Sequence, residues 1–199
     1  MAAEFVPLAV AREGRESQLY SKTSGARLIA GCVPLNEAKD KVIMISSSKH
    51  KDRWILPKGG IEKDEEDDYR NTALRETWEE AGIFGEITKK LKVVFDHRFQ
   101  KGSGDLKEKD LDIDGERIPR SEFHLYEMIV RELSQEWPES AKRERKWCTY
   151  SEAKHELTKS KRWELLDALN DSSIEKDVQS VFIDQKGNHK DAAIHSDHY

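Results

Sequence analysis

The hydrophobic positions of this chain fall into runs whose period decides which element each can form. Residues 27–35 are apolar with β-branched members, 36–40 are polar and turn-like, and 41–46 are apolar again, so the pair predicts a hairpin. Residues 53–57 predict a short strand, ended where Pro57 withdraws a backbone donor. From residue 70 the period changes. Leu74, Trp78 and Ala81 recur at i, i+4 and i+7, which predicts a helix over 70–81 docked through those three, and Gly82 stands where a left-handed residue would stop it. Residues 85–96 predict one or two strands, 121–130 alternate like a half-buried strand, and the basic segment 142–150 leads into another. Ser151 is the expected N-cap of a helix over 152–157, and Leu165, Leu166 and Leu169 give the apolar face of a second over 163–169.

Stretches without a pattern set the organisation. Residues 1–24 predict an arm packing on the domain, with Arg12 and Arg15 available for anion contacts, and 25–170 predict one domain. A polar insertion at about 100–120 has too few apolar residues for its own core. Residues 171–199 form a polar tail whose His189, His195 and His198 are too scattered for a metal site. A chain of 199 residues, 36% hydrophobic and 37% charged, suits one domain with polar extensions. No run approaches the roughly 18 apolar residues of a membrane span, and the first residues lack a basic segment before a long apolar core. The expectation is a cytosolic protein, with the nucleus also open. Cys32 and Cys148 lack metal-type spacing and are expected as reduced core or edge residues.

The net charge of −5 argues against general nucleic-acid binding, but its distribution says more. Base gathers at 12–27, 49–58, 142–146 and 159–162, which would make a local positive pocket if the fold joins these segments. Acid gathers at 62–68, at 105–116 and on the predicted helix, where Glu76, Glu79 and Glu80 share one face. Such neighbours repel, and a hard divalent cation, above all Mg²⁺ held by carboxylates and substrate phosphates, would offset that. Arg75 lies four residues before Glu79 and is placed to pair with it. Residues 46–50, Ser-Ser-Ser-Lys-His, offer small hydroxyls and backbone donors beside a Lys, as in an anion cradle. Gly59 and Gly60 let the backbone approach a ligand or metal, with Lys58 at the lip. Together these residues imply metal-assisted attack of water on a polyphosphate, with one carboxylate free to take the proton.

Residues 59–83 resemble the Nudix box. Arg75, Glu76, Glu79, Glu80, Gly82 and Ile83 all fall in place, whereas nine residues rather than seven separate Glu65 from Arg75, so 63–68 are expected to loop out ahead of the helix. The resemblance implies an α/β (α+β) fold with a mixed sheet sandwiched between helices. It further implies Glu76 and Glu80 as ligands of Mg²⁺ or Mn²⁺, backbone near Gly59 as a further metal contact, and Glu79 as general base or a further ligand, with the role of base preferred. Segments 25–32, 45–60 and 75–82 are similar to those of the fungal diphosphoinositol polyphosphate and diadenosine polyphosphate phosphohydrolases, a likeness running from about 11 to about 170. By that likeness Arg15, Arg27, Ser47, Ser48, Lys49, Lys58, Arg143 and Lys161 contact substrate phosphates. The implied activity removes the β-phosphate of diphosphoinositol polyphosphates and hydrolyses diadenosine polyphosphates and inorganic polyphosphate. The alternatives are a nucleotide or messenger-RNA-cap hydrolase, or a non-catalytic inositol-phosphate-binding module. Binding adenine would call for an aromatic platform, whereas Trp54, Trp78, Trp147 and Trp163 are expected in the core. The expected partner is a small polyphosphate, without membrane or stable nucleic-acid binding.

Overall fold

In the computed structural model, which describes residues 6–97 and 118–177, the apolar runs become strands of one mixed sheet. The predicted hairpin is β1 (Arg27–Leu35) and β2 (Val42–Ser46), paired antiparallel at Leu35 and Val42. Its turn is closed by Asn36, whose Oδ1 accepts the Lys41 N–H at 3.0 Å. The other elements in chain order are β3 (Trp54–Ile55), β4 (Lys58–Gly60), α1 (Tyr69–Ala81), β5 (Ile83–Lys90), β6 (Val94–Asp96), β7 (Ser121–Leu133), β8 (Arg145–Cys148), α2 (Tyr150–Lys159) and α3 (Trp163–Asp171). The sheet runs β3-β2-β1-β7-β5, with β4 on β1, β6 on β7 and β8 on β2. β1 and β7 are parallel over nine registered pairs, and every other pairing is antiparallel. Helices sandwich this sheet, as the resemblance implied.

The central pair explains one departure. β7 is buried continuously from Phe123 to Ile129 rather than in alternation, because β1, β5 and β6 pair with it and helices cover its faces. Strand β4 is a second departure, since a Lys-Gly-Gly segment carries no strand signal of its own. It forms because Gly31 on β1 lets the chain come close: a Cβ there would overlap the backbone of Pro57 and Lys58.

Helix α1 begins one residue before the expected start, capped by Asp68, and stops at Gly82 with φ 62. Its docking stripe differs from the expected one. Ala73, Thr77 and Ala81 are fully buried, whereas Leu74 and Trp78 are only half-buried. Small residues face the sheet because the helix lies close to β1, where the Cys32 thiol donates to the Ala73 carbonyl at 3.7 Å. Trp78 instead stacks on Phe84 at 4.6 Å and donates its Nε1–H to the Leu8 carbonyl at 2.8 Å, fastening the N-terminal arm.

The N-cap of α2 is Thr149, not Ser151. Thr149 and Glu152 form a reciprocal capping box, so the helix starts two residues early. Leu165, Leu166 and Leu169 on α3 are buried as expected. Of the tryptophans expected in the core, Trp54 and Trp78 are half-buried, but Trp147 is 37% and Trp163 51% exposed. Trp147 lies on β8, which pairs only with β2 among the described residues, and Trp163 is the first residue of α3, off its leucine face. Cys32 and Cys148 are free and buried, and burial pushes their thiols up to about 12 and about 11. Among the described residues no helix is long and apolar enough to cross a membrane. Most of the insertion at 100–120, and the tail histidines, lie outside the described residues.

Candidate active site

Arg75 is the hub from which the acidic face is built. It is 4% exposed and gives its Nε–H and Nη2–H to the two Glu65 oxygens at 2.8 and 2.9 Å, and Nη2 also reaches the Gly60 carbonyl at 3.1 Å. Nη1 spans Glu76 at 2.7 Å and Glu79 at 3.3 Å. The predicted Arg75–Glu79 pair therefore exists, but the bidentate partner is Glu65. Residues 63–65 do not loop out; they form a 3₁₀ turn that presents Glu65 inward, where Thr72 also donates to it at 2.6 Å. Burial works against the Arg75 charge, but Glu65, Glu76 and Glu79 outweigh it and raise its pKa above the ordinary guanidinium value.

The three carboxylates are more enclosed than a solvated helix face. Glu76 lies directly over Gly59, so closely that a Cβ at that position would coincide with its carboxylate. Burial, then the charge of Glu80, pushes the Glu76 carboxyl up to about 8. Glu80 accepts the Lys58 backbone N–H at 2.7 Å and an Arg143 Nη2–H. Glu79 keeps one oxygen on Arg75, while its Oε1 is buried with no hydrogen-bond partner within normal geometry among the described residues, and burial raises its pKa against the pull of Arg75 and the Arg12 backbone. Among the described residues no three His, Cys, Asp or Glu side chains gather as a ready metal cluster. What the site offers is two mutually repelling buried carboxylates against a side-chain-free backbone, plus one orphaned oxygen, a donor set that fits a hard divalent cation.

Cations surround this pair. Burial lowers the Lys58 ammonium to about 8 against the attraction of Glu80, with Arg162 and Arg143 adding repulsion. Arg143 also donates to the Ser46 carbonyl at 3.1 Å and to Glu139, fixing its fork between β2 and α1. Arg27 is held by Gln18, which accepts its Nε–H at 2.7 Å; burial lowers its pKa, and Arg15 lowers it further. The structure thus sets Lys58 and Arg143 against Glu76 and Glu80, with Arg27 in charge range of Glu76 and Arg15 beside Arg27. Ser47, Ser48 and Lys49 lie in the loop after β2, where Ser47 Oγ accepts the His50 N–H at 3.4 Å, while Ser48 and Lys49 are exposed. Lys161 is exposed in the turn between α2 and α3, at φ 54. Neither group makes a direct contact with the central cluster.

Arg162, rather than Lys161, is the member of the basic run 159–162 whose charge reaches Lys58. The run was visible in the sequence, but which side chain turns inward is set by the left-handed backbone at Lys161. Gln18 gave no sequence signal; Glu65 was visible as the glutamate of the box pattern, but its extended spacing pointed outward to a loop rather than inward to Arg75. Arg12, expected as an anion contact, is instead committed to Glu62 at 2.8 Å and Asp64 at 3.0 Å.

A mixed sheet between helices, with an Arg-organised acidic helix facing a glycine strand, defines a phosphate-handling hydrolase of one family. Residues 25–169 match the NUDIX domain, and the chain belongs to the Nudix hydrolase family. It is 36% identical over 156 residues to Nudix hydrolase 21, chloroplastic, of Arabidopsis thaliana, covering 76% of this chain and 69% of that protein. It is 32% identical over 120 residues to diphosphoinositol polyphosphate phosphohydrolase 3-alpha of Homo sapiens, covering 59% of this chain and 60% of that protein. A NUDIX hydrolase structure from Nitrosomonas europaea matches with a TM-score of 0.51 at 12% identity, over 73% of this chain and 87% of that one, a likeness of fold. Nudix hydrolases generally use divalent metals such as Mg²⁺ or Mn²⁺ and act on small phosphate-bearing substrates.

Proposed function

We propose that the protein is a metal-dependent pyrophosphohydrolase that removes the β-phosphate of diphosphoinositol polyphosphates, and that also hydrolyses diadenosine polyphosphates and inorganic polyphosphate. The observation that supports it most is that Arg27, Lys58 and Arg143, from three separate segments, lie within charge range of the Glu76–Glu80 pair, with Arg15 beside Arg27 and Arg162 beside Lys58. A nucleotide needs fewer cations than an inositol ring crowded with phosphates, which calls for several, preferably with guanidinium forks. The human relative's name supports the same substrate class.

In this reading Glu76 and Glu80, with backbone at Gly59, hold Mg²⁺ or Mn²⁺, which when bound supplies charge neutralisation of the phosphate oxygens. Glu79 takes the proton of the attacking water on Oε1, the oxygen without a partner, while Arg75 fixes the other. Water oxygen bonds to the terminal phosphorus as the anhydride P–O bond breaks. Lys58, Arg27 and Arg15 orient the polyanion, with Ser47, Ser48, Lys49 and Lys161 as outer contacts. The cytoplasm, with the nucleus also open, is the compartment this reading assigns.

A nucleotide-directed reading has one observation in its favour, the exposed Trp163 beside Arg162, which could stack a base. Turnover of a diphosphoinositol pentakisphosphate and of diadenosine hexaphosphate, each with Mg²⁺ or Mn²⁺, separates the two. A higher kcat/KM for the inositol substrate is expected, and exclusive turnover of the nucleotide overturns the proposal. Glu80→Gln should abolish release of phosphate while substrate still binds; unchanged release would overturn the role assigned to this carboxylate site.

A further inference from the structure

A second cleft opens where the N-terminal end of α1 meets β5 and β7. Its volume is about 360 Å³, and its walls are Arg70, Ile87, Thr88, Lys89, Lys90 and Tyr126. Arg70 lies six residues before Glu76 and ten before Glu80, roughly 9 to 15 Å along the helix, so this cleft is separate from the carboxylate site.

Its polar groups are nearly all donors. Tyr126 is 95% buried, with 5% of its surface exposed, yet its hydroxyl has no hydrogen-bond partner among the described residues. Arg70 binds Asp68 through Nε at 2.9 Å and through Nη2, which leaves Nη1 free among the described residues, and the charges of Asp68 and then Arg70 reach Tyr126. Lys89 gives one N–H to the Asp171 carbonyl at 2.7 Å and keeps two. Lys90 makes no hydrogen bond or ion pair among the described residues. No wall residue is a carboxylate. Lysines at the free edge of β5 would by themselves serve to discourage strand addition. That role does not account for a buried tyrosine lining the cleft beside a guanidinium edge, its hydroxyl without a partner among the described residues.

We propose that this cleft binds a phosphate group, from inorganic phosphate or pyrophosphate, through Arg70, Lys90 and the Tyr126 hydroxyl. Several oxygens on one dianion match a guanidinium edge, an ammonium and a phenol at once. The inference rests on these wall residues alone and is independent of the hydrolytic reading.

The test titrates the full chain, carrying ring-labelled tyrosine, with inorganic phosphate and with pyrophosphate, and follows the Tyr126 resonances by NMR. A saturable shift is expected, with affinity at least about tenfold weaker in Lys90→Glu, as loss of a charge-assisted bond would give, and the same weakening in Tyr126→Phe, which has no Tyr126 signal, is read by isothermal titration calorimetry. Lys58→Ala should leave the shift in place. A shift that never saturates, that is equal in Lys90→Glu, or that disappears in Lys58→Ala would overturn the proposal. Co-sedimentation with phosphatidylcholine vesicles containing phosphatidic acid distinguishes the source. Lys90-dependent sedimentation would assign the phosphate to a lipid headgroup and overturn the free anion, whereas its absence supports the free anion.

Discussion

At the scale of single residues, Gly59 and Glu65 are the most exacting positions. Gly59 has no side chain because the Glu76 carboxylate occupies the space a Cβ would take. The obstructed group is the end of a flexible side chain, so Gly59→Ala should fold with a nearly unchanged Tm. It should nonetheless displace that carboxylate, and a shift of about 1 Å is enough to cost roughly 100-fold in rate. Steady-state kinetics beside a thermal melt checks both halves. Glu65 is different, because its contribution is to the fold of the site. Glu65→Ala leaves the buried Arg75 without its bidentate partner, and a loss of roughly 3 kcal/mol is expected by urea denaturation. A loss below about 1 kcal/mol would mean that Glu76 and Glu79 alone compensate the arginine. The sequence showed Arg75, Glu76, Glu79 and Glu80 at their spacing. It could not show that Glu65 is drawn inward, because nothing local to 63–68 points a carboxylate toward a helix ten residues on.

At the scale of elements, short-range chemistry was legible wherever one residue decides the outcome. Gly82 ends α1 with a left-handed residue, the leucines of α3 face the core, and the 36–40 turn closes the hairpin. The start of α2 was legible too, but on other residues: Thr149 and Glu152 carry the capping box that Ser151 lacks. Thr149→Ala should therefore destabilise the protein by about 1 kcal/mol, and Ser151→Ala should do so by less through the cap, since Ser151 is already inside the helix. Ser151 Oγ does bond the Asp177 carbonyl at 3.3 Å, so any effect there reports docking of the following chain. The reverse order of losses in a pair of chemical denaturation curves would move the cap back to Ser151. The docking stripe of α1 was not legible from its large apolar residues. Close approach of a helix to a strand selects small side chains, and that approach is a property of the sheet beneath.

At the scale of the whole molecule, two long-range arrangements make predictions. The buried Glu127 on β7 ties three segments together: Lys39 lies at 3.0 Å, Thr88 donates at 3.2 Å and the Ser173 N–H at 2.7 Å. Burial alone would raise its carboxyl, but the bonds from Ser173 and Lys39 outweigh burial and hold its pKa below 4.5. A depressed folded pKa means that the unfolded chain takes up the proton first. Its stabilisation is present above pH 4.5 and is lost as pH falls through the lower folded value. Stability measured across that window should fall less steeply in Glu127→Gln than in the parent. The cations around the carboxylate site make the second case. If, as proposed, Arg27, Lys58 and Arg143, with Arg15 and Arg162 beside them, act on a polyanion partly through solvent, raising salt should raise KM for a highly phosphorylated inositol more than kcat changes.

What the sequence by itself determined is local: a helix with three acids and an arginine on a fixed period, its glycine stop, and the apolar runs that must become strands. These follow from backbone geometry within a dozen residues. Only the tertiary structure decided which charges meet. Glu65 reaches Arg75, Arg143 reaches Glu80, Arg162 rather than Lys161 faces Lys58, and Arg12 is taken by Glu62 and Asp64. The reason is physical: a charged side chain pairs with whatever the sheet places within a few ångströms, and the parallel β1–β7 pairing that sets those distances joins residues almost a hundred positions apart.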